Sequence, residues 1–295
     1  MTMEGCVLCP RRCGGARTEL EGTGTCRAGT LPVIGRAALH FGEEPCITGR
    51  RGSGTVFFCG CPLGCVFCQN SEISHGATKG RVVTVEALGG IFRRLREQGA
   101  GNINLVTASH FAPAVAEALR KFPPGIPVVY NCGGYESMET LRLLEGLVDV
   151  YLPDFKYGDA DTARLCANAP DYPETALAAI LEMRRQTGPE TLDAEGLMTR
   201  GTLVRHLVLP GLSGASMGAL SMLRDALPGD VRLSLMSQYT PWGAAKEIKG
   251  LDRPLLLREY RRVAAHMWAL GFLGYTQQME VAGTEMIPEW NEKRC

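Results

Sequence analysis

Three cysteines fall within eight residues at Cys61-Pro62-Leu63-Gly64-Cys65-Val66-Phe67-Cys68, directly after the apolar run 55–58. Thiolates are metal ligands, and three of them cannot complete a tetrahedral zinc site alone. Three-cysteine ligation leaves one metal position open, and on a 4Fe–4S cluster that open iron can chelate a ligand through its own amine and carboxylate. The competing reading is three buried cysteines with no ligand.

A second set, Cys6-x2-Cys9-x3-Cys13-x12-Cys26, offers four thiolates. Four is the number that closes either a structural zinc site or an iron–sulfur cluster, and the sequence leaves zinc and iron equally open. Arg11 and Arg12 are placed to offset the negative charge of such a site; free thiols are the alternative. With Cys46 and Cys59, nine of the twelve cysteines lie in the first 68 residues. The start of the chain lacks the apolar core of a signal peptide, and the chain is far larger than disulfide-dense scaffolds, so the cysteines point to a reducing, cytoplasmic setting. His40, Glu43, Glu44 and Cys46, in the segment 38–47, read as a packed hinge, with a metal site or a substrate entrance as the alternative. Cys59, Cys132 and Cys166 read as small core residues, and Cys295 as a tail thiol without a role.

These groups need a scaffold to hold them. From residue 54 onward apolar runs at 55–58, 102–106, 126–130, 148–152, 203–209 and 231–236 alternate with amphipathic stretches at 84–98, 113–121, 137–145, 172–186, 216–225 and 253–270. The runs are continuously apolar, as parallel strands covered on both faces require. Six strand–helix units give an α/β fold, either doubly wound or a barrel. In both, ligands meet the C-terminal ends of the strands, where Asn131, Asp154, Lys156, Gln238 and Tyr239 stand. Thr84 is a candidate N-cap. Met217, Met222, Met267 and Trp268 read as core, and Arg258, Arg261 and Arg262 as a solvated face. The 295 residues carry 31 basic and 31 acidic side chains, 45% apolar and 21% charged. That balance excludes a disordered chain and gives no steering toward nucleic acid or membrane. No P-loop, dinucleotide fingerprint or hydrolase elbow is present.

The cysteine loop, with aromatic Phe67 before its last cysteine, matches the signature of radical S-adenosylmethionine (SAM) enzymes. The resemblance implies a 4Fe–4S cluster on Cys61, Cys65 and Cys68 whose unique iron binds SAM, with Phe67 near the adenine. It also implies a partial (βα)6 TIM-type barrel, and hydrogen abstraction by a 5′-deoxyadenosyl radical. Within that superfamily the chain most resembles the pyruvate formate-lyase activating enzymes and their iron–sulfur homologues. The residues 54–58 and Cys68-Gln69-Asn70 are similar to their first strand and loop. Asp154-Phe155-Lys156 resembles the D-x-K that ends their fourth strand, and Val204-Arg205-His206 with Leu209-Pro210-Gly211 resembles their fifth strand. By that likeness Asp154 and Lys156 hold the methionine part of SAM and Arg205 faces the SAM pocket. Read without it, the first two make a surface ion pair and the third bridges the barrel interior. A Gly-Gly-Glu-like motif that meets the SAM amine in those enzymes is missing after the second strand, where Thr107, Ser109 and backbone groups stand in its place. His110 beside them either faces substrate or is a hydrogen-bonded strand-end histidine. Asn131 precedes Gly133 and Gly134, whose lack of side chains would let backbone approach a ligand.

The expectation is therefore a cytoplasmic enzyme in two parts, a cysteine-rich module and hinge at 1–52 and the barrel at 53–295. The resemblance implies a glycyl radical enzyme as its substrate. A small molecule or peptide met by His110, Tyr239 or Arg205 is the alternative, and a non-catalytic electron carrier lies outside both. Tyr239 and Trp242 either face substrate or cap the barrel. The expected reductant is of the flavodoxin or ferredoxin type, with no nucleic-acid or membrane partner.

Overall fold

The computed structural model describes residues 3–75 and 80–278, so Cys295 lies outside the described residues. Its strands are β1 (Val33–His40), β2 (Ser53–Phe58), β3 (Arg81–Val82), β4 (Ile103–Val106), β5 (Val128–Cys132), β6 (Val150–Pro153), β7 (Thr191–Leu192), β8 (Met198–Leu207), β9 (Arg232–Met236) and β10 (Gly274–Thr276). All but β7 form one path in the order β10-β9-β8-β6-β5-β4-β2-β1-β3, and β7 pairs with β8. From β2 to β10 the pairings along that path are parallel, whereas β1 runs antiparallel to both β2 and β3. This is the α/β partial barrel that the sequence predicts, with its six strand–helix units followed by the further strand β10.

The helices are α1 (Pro45–Thr48), α2 (Ser71–Ser74), α3 (Val85–Glu97), α4 (Ala112–Lys121), α5 (Met138–Leu144), α6 (Ala160–Ala167), α7 (Tyr172–Thr187), α8 (Ser213–Ala226) and α9 (Leu257–Ala269). Thr84 caps α3, its hydroxyl accepting the Ala87 N–H at 3.2 Å, and Ser137 caps α5 the same way through Thr140. Every residue of β2, β5 and β6 is buried, because helices cover one face and inward side chains the other.

The sequence reading missed the short elements α1, α2, β3 and β7, and also β1, α6 and β10. Arg36 and small residues break the apolar pattern of β1, so the expected hinge begins as a strand packed on β2. Asp159 caps α6, accepting the Thr162 N–H at 2.7 Å, and β10 is only three residues long. Trp268, read as core, is 48% exposed, while Met267 on the same helix is fully buried. Among the described residues no helix is long and apolar enough to cross a membrane.

Candidate active site

A cavity of about 230 Å³ opens at the C-terminal ends of the parallel strands. Its wall includes every cofactor residue read from the sequence: Cys61, Cys65, Cys68 and Phe67 from the loop after β2, Thr107 and Ser109 after β4, Asn131 on β5, Asp154 and Lys156 after β6, and Arg205 on β8. Strand order brings them together, since β2, β4, β5, β6 and β8 are consecutive neighbours in the sheet.

Cys65 is buried, and the Tyr157 hydroxyl donates to its sulfur at 3.2 Å. The Ser74 hydroxyl likewise donates to the sulfur of Cys68 at 3.3 Å. Burial pushes the Cys65 thiol up to about 12, opposed by the charge of Lys156 and the Tyr157 bond. A sulfur so placed is a thiolate only with a cation on it. Hydroxyl donors, a lysine charge and an aromatic wall are what a ligating sulfur requires, so the residues fit a 4Fe–4S cluster. Phe67 packs edge-on to Tyr239 and Tyr157, at centroid distances of 5.9 and 6.4 Å.

Below the loop lies a charged network. Asp154 accepts from Arg205 Nε at 2.8 Å and from Lys156 Nζ. Arg205 Nη2 donates to Asn131 Oδ1 at 2.5 Å, and Nη1 to Glu43 Oε2 at 3.0 Å. Glu43 Oε1 accepts from the side-chain amides of Asn104 and Asn131 at 3.1 and 3.2 Å. Burial pushes the Asp154 carboxyl up, but Arg205 and Lys156 outweigh it and hold the pKa low. Asp154 and Lys156 thus form a largely buried ion pair, and Arg205 does bridge the barrel interior as well as face the cavity.

Ser109 donates to Glu136 Oε1 at 2.5 Å, and Tyr130 to Oε2 at 3.2 Å. Glu136 is buried on the cavity wall, and desolvation raises its pKa to about 7 against those hydrogen bonds. His110 does not face the cavity: it is buried with Nε2 at 2.7 Å from the Cys59 carbonyl, and burial lowers its pKa to about 4. Gly134, at φ +77°, allows close approach of the Asp154 carbonyl, where a Cβ would stand 2.2 Å away; the close contact is to backbone. Tyr239 lines the cavity with its hydroxyl bonded to the Leu251 carbonyl, and Trp242 caps the loop through Ser71.

Sequence reasoning missed Glu136, Tyr157 and Ser74 as site residues and gave Glu43 a hinge role, with a metal site or the substrate entrance as alternatives. Tyr157 follows Lys156 directly, which is a usable signal; for Glu136 there is none, because only the fold brings it to Ser109. In the module, Cys6 and Cys9 are buried, Cys26 half-buried and Cys13 exposed. Arg17, not Arg11 or Arg12, stands at the sulfurs, with Nη1 3.8 Å from Cys6 Sγ. Arg12 instead pairs with Glu139 on the surface. His40 and Glu43 line the cavity while Glu44 and Cys46 are buried elsewhere. Among the described residues no three His, Cys, Asp or Glu side chains converge as ligands of a single metal ion.

The fold and the loop define an iron–sulfur, SAM-dependent class of enzyme. The model of the radical SAM superfamily matches residues 55–217, and the chain belongs to that superfamily. It is similar to the uncharacterised protein MJ0674 of Methanocaldococcus jannaschii, 29% identical over 87% of this chain and 72% of that protein. Among solved structures it resembles Streptococcus suis SuiB bound to its precursor peptide SuiA, with TM-score 0.51 and 9% identity over 74% of this chain and 47% of that one. SuiB bound to S-adenosylmethionine matches with TM-score 0.50 and 10% identity, over 74% of this chain and 48% of that one. The chain thus spans about half the length of the solved structures it matches, and at that identity they share the fold.

Proposed function

We propose that this chain reductively cleaves SAM and abstracts a hydrogen atom from a compact substrate, a small molecule or the end of a peptide. Membership of the superfamily implies the 4Fe–4S cluster and SAM, and the observation that carries the reading is the convergence of all ten expected cofactor residues on one cavity. When bound, the cluster supplies the electron that cleaves SAM to the 5′-deoxyadenosyl radical.

The chain's own residues do the rest. Cys61, Cys65 and Cys68 hold the cluster, with Tyr157 and Ser74 orienting two of the sulfurs. Phe67, backed by Tyr239, forms an apolar wall for a flat adenine ring. Asp154, Lys156 and Arg205 present fixed charge of both signs to the amino-acid part of SAM, held in place by one another. Their hydrogen bonds are made before any ligand arrives, so little reorganisation accompanies binding. The surrounding wall excludes water from a radical that reacts with whatever is nearest.

What supports a compact substrate is Glu43. It reaches from the segment after β1 to Asn104 on β4, Asn131 on β5 and Arg205 on β8, tying that segment across the strand ends at the cavity. Activation of a glycyl radical enzyme is the competing reading, carried by the motif likenesses at Asp154-Phe155-Lys156 and Val204-Arg205-His206.

The test is anaerobic reconstitution with iron and sulfide, then dithionite and SAM, with 5′-deoxyadenosine assayed. Product is expected from the native chain and none from Cys65→Ala; product persisting in that variant overturns the cluster assignment. A radical signal installed on a glycyl radical enzyme by this chain would overturn the compact-substrate reading.

A further inference from the structure

We propose that Arg11, from the N-terminal module, is a positioning residue: it holds the 61–68 loop from outside in the form that receives a cluster and eases its reduction. That a cluster occupies the loop rests on the function proposed above; what Cys6, Cys9, Cys13 and Cys26 hold plays no part. The guanidinium joins two parts of the barrel through backbone oxygens. Its Nε donates to the Pro62 carbonyl at 2.9 Å and Nη2 to the Leu63 carbonyl at 3.1 Å, both inside the loop. Nη2 also donates to the Ala167 carbonyl at 2.5 Å, and Nη1 to the Asn168 carbonyl, at the end of α6. The last carbonyls of a helix have no partner within it. A planar cation with several donors satisfies them and complements the negative end of the helix dipole.

Peptide geometry carries this clamp across the loop. In a trans peptide the C=O and the N–H point in opposite directions. Holding the Pro62 and Leu63 carbonyls toward Arg11 therefore turns the N–H groups of Leu63 and Gly64 the other way, on a loop whose Cys61, Leu63 and Cys65 line the cavity. Among the described residues neither N–H donates to a backbone carbonyl. Gly64 takes the left-handed conformation, at φ +61°. Successive N–H groups beside a left-handed residue form a concavity for anions, of the kind found at iron–sulfur sites. Hydrogen bonds to cluster sulfurs and nearby positive charge both favour the reduced, more negative state. None of the four acceptors of Arg11 is a carboxylate, so its charge acts in the same direction.

The same side chain reaches the charged side of the cavity. Arg11 Cζ lies 5.6 Å from the centre of the Tyr135 ring, and Tyr135 stacks on Tyr172 at 5.9 Å. The Tyr172 hydroxyl accepts the Lys156 N–H at 2.8 Å and donates to the Asp154 carbonyl at 2.8 Å. Arg11 thus steadies the cysteine loop directly and the segment carrying Asp154 and Lys156 through two stacked rings. It acts through these groups and not by contact with reacting atoms.

The test compares the full native chain with Arg11→Ala, Arg11→Lys and, as a control, Arg12→Ala, whose side chain pairs with Glu139 on the surface. All are reconstituted anaerobically with iron and sulfide. Hydrogen exchange in segment 61–68 is expected to be about tenfold faster in both Arg11 variants, with β4, β5 and β6 as protected as in the native chain. The cluster whose EPR signal changes on addition of SAM is then titrated for its midpoint potential. Its reduction should be about tenfold less favourable in Arg11→Ala, which is about 59 mV for one electron. Arg11→Lys keeps the charge but not the planar fork, so its potential should fall less while its loop exchange stays fast. Arg12→Ala should match the native chain in both readouts. Native exchange and native potential in Arg11→Ala overturn the proposal. Arg11→Lys matching the native chain in both also overturns it, because a point charge would then suffice. Faster exchange that spreads to β4, β5 and β6 in both Arg11 variants does the same, since Arg11 would then serve stability at large. A native chain that forms no 5′-deoxyadenosine, yet shows the exchange difference at 61–68, would instead sink the function proposed above and leave the positioning of the loop standing.

Discussion

The two cysteine sets sit in opposite kinds of surroundings. Cys65 and Phe67 belong to an apolar cluster that runs through Tyr157, Tyr172, Val204, Leu233 and Tyr239, so the loop is anchored by packing that exists without any metal. In residues 3–32 the buried apolar side chains are Cys6, Cys9, Ala28 and Pro32. That segment is shaped by isolated bridges, Met3 to Arg17, Arg17 to Gly22 and Glu21 to Ala28. Little apolar area is buried there, so polar contacts rather than packing hold this segment. The barrel thus carries its own fold through apolar packing, whereas residues 3–32 are held by polar contacts, among them those of Arg11 and Arg17 with barrel carbonyls.

Metal removal tests this most severely. With metal bound, amides of residues 3–32 should resist hydrogen exchange; a chelator under reducing conditions should remove that protection while the amides of β2, β4, β5 and β6 stay protected. Loss of protection in the barrel at the same chelator concentration would show that Arg11 and Arg17 make the two parts a single cooperative unit.

The next effect lies inside the barrel. Asp154→Asn leaves Lys156 and Arg205 without the carboxylate they share, and Arg205 keeps the carboxylates of Glu43 and Glu44 near it. Breaking a buried pair in this way costs about 3 kcal/mol. Urea unfolding should show that loss in the barrel transition, with exchange in residues 3–32 unchanged. A variant of native stability would mean that solvent in the cavity screens the network.

The difference between the two regions also governs what the sequence reveals. The parallel strands are apolar because they are buried on both faces, so six units and most of their boundaries can be read directly, and strand-end polar residues then fall on one cavity. Motif spacing fixes Cys61, Cys65 and Cys68. Glu136 is not legible, since its role arises from Ser109, 27 residues away, and Glu43 is legible at the entrance but not in its bond to Arg205, 162 residues away. In the module, spacing groups four cysteines but does not show which arginine faces them. Arg11 and Arg12 are adjacent in sequence to the cysteines, yet Arg17 is the one folded back onto Cys6.

Glu136 connects the two regions, since its charge reaches Cys9 as well as the cavity. Burial raises its pKa to about 7 from an ordinary value of 4.5. The folded chain therefore holds that proton more tightly than the unfolded one. This contribution is fully present below about pH 4.5 and is lost as pH rises to about 7, amounting to about 3 kcal/mol. Glu136→Gln keeps the Ser109 bond and abolishes the titration. Its stability relative to the native chain should rise between pH 5 and pH 8 in denaturant unfolding. Parallel curves would mean that Glu136 is already solvated through the cavity.

The smallest effect isolates the barrel alone. Thr84 is exposed, and its hydroxyl accepts the Ala87 N–H at the start of α3, a helix that packs Leu88, Phe92 and Leu95 into the core. Thr84→Ala removes one cap without touching the cavity or the module. The loss of about 1 kcal/mol lowers Tm by roughly 2–4 °C for a domain of this size. The module meets this helix end only through the bond from Val83 N–H to the Pro32 carbonyl, which the change leaves in place, so exchange in residues 3–32 should be indifferent to it. If those amides also lose protection, the module draws its order from the global stability of the barrel, and the division drawn between the two regions fails.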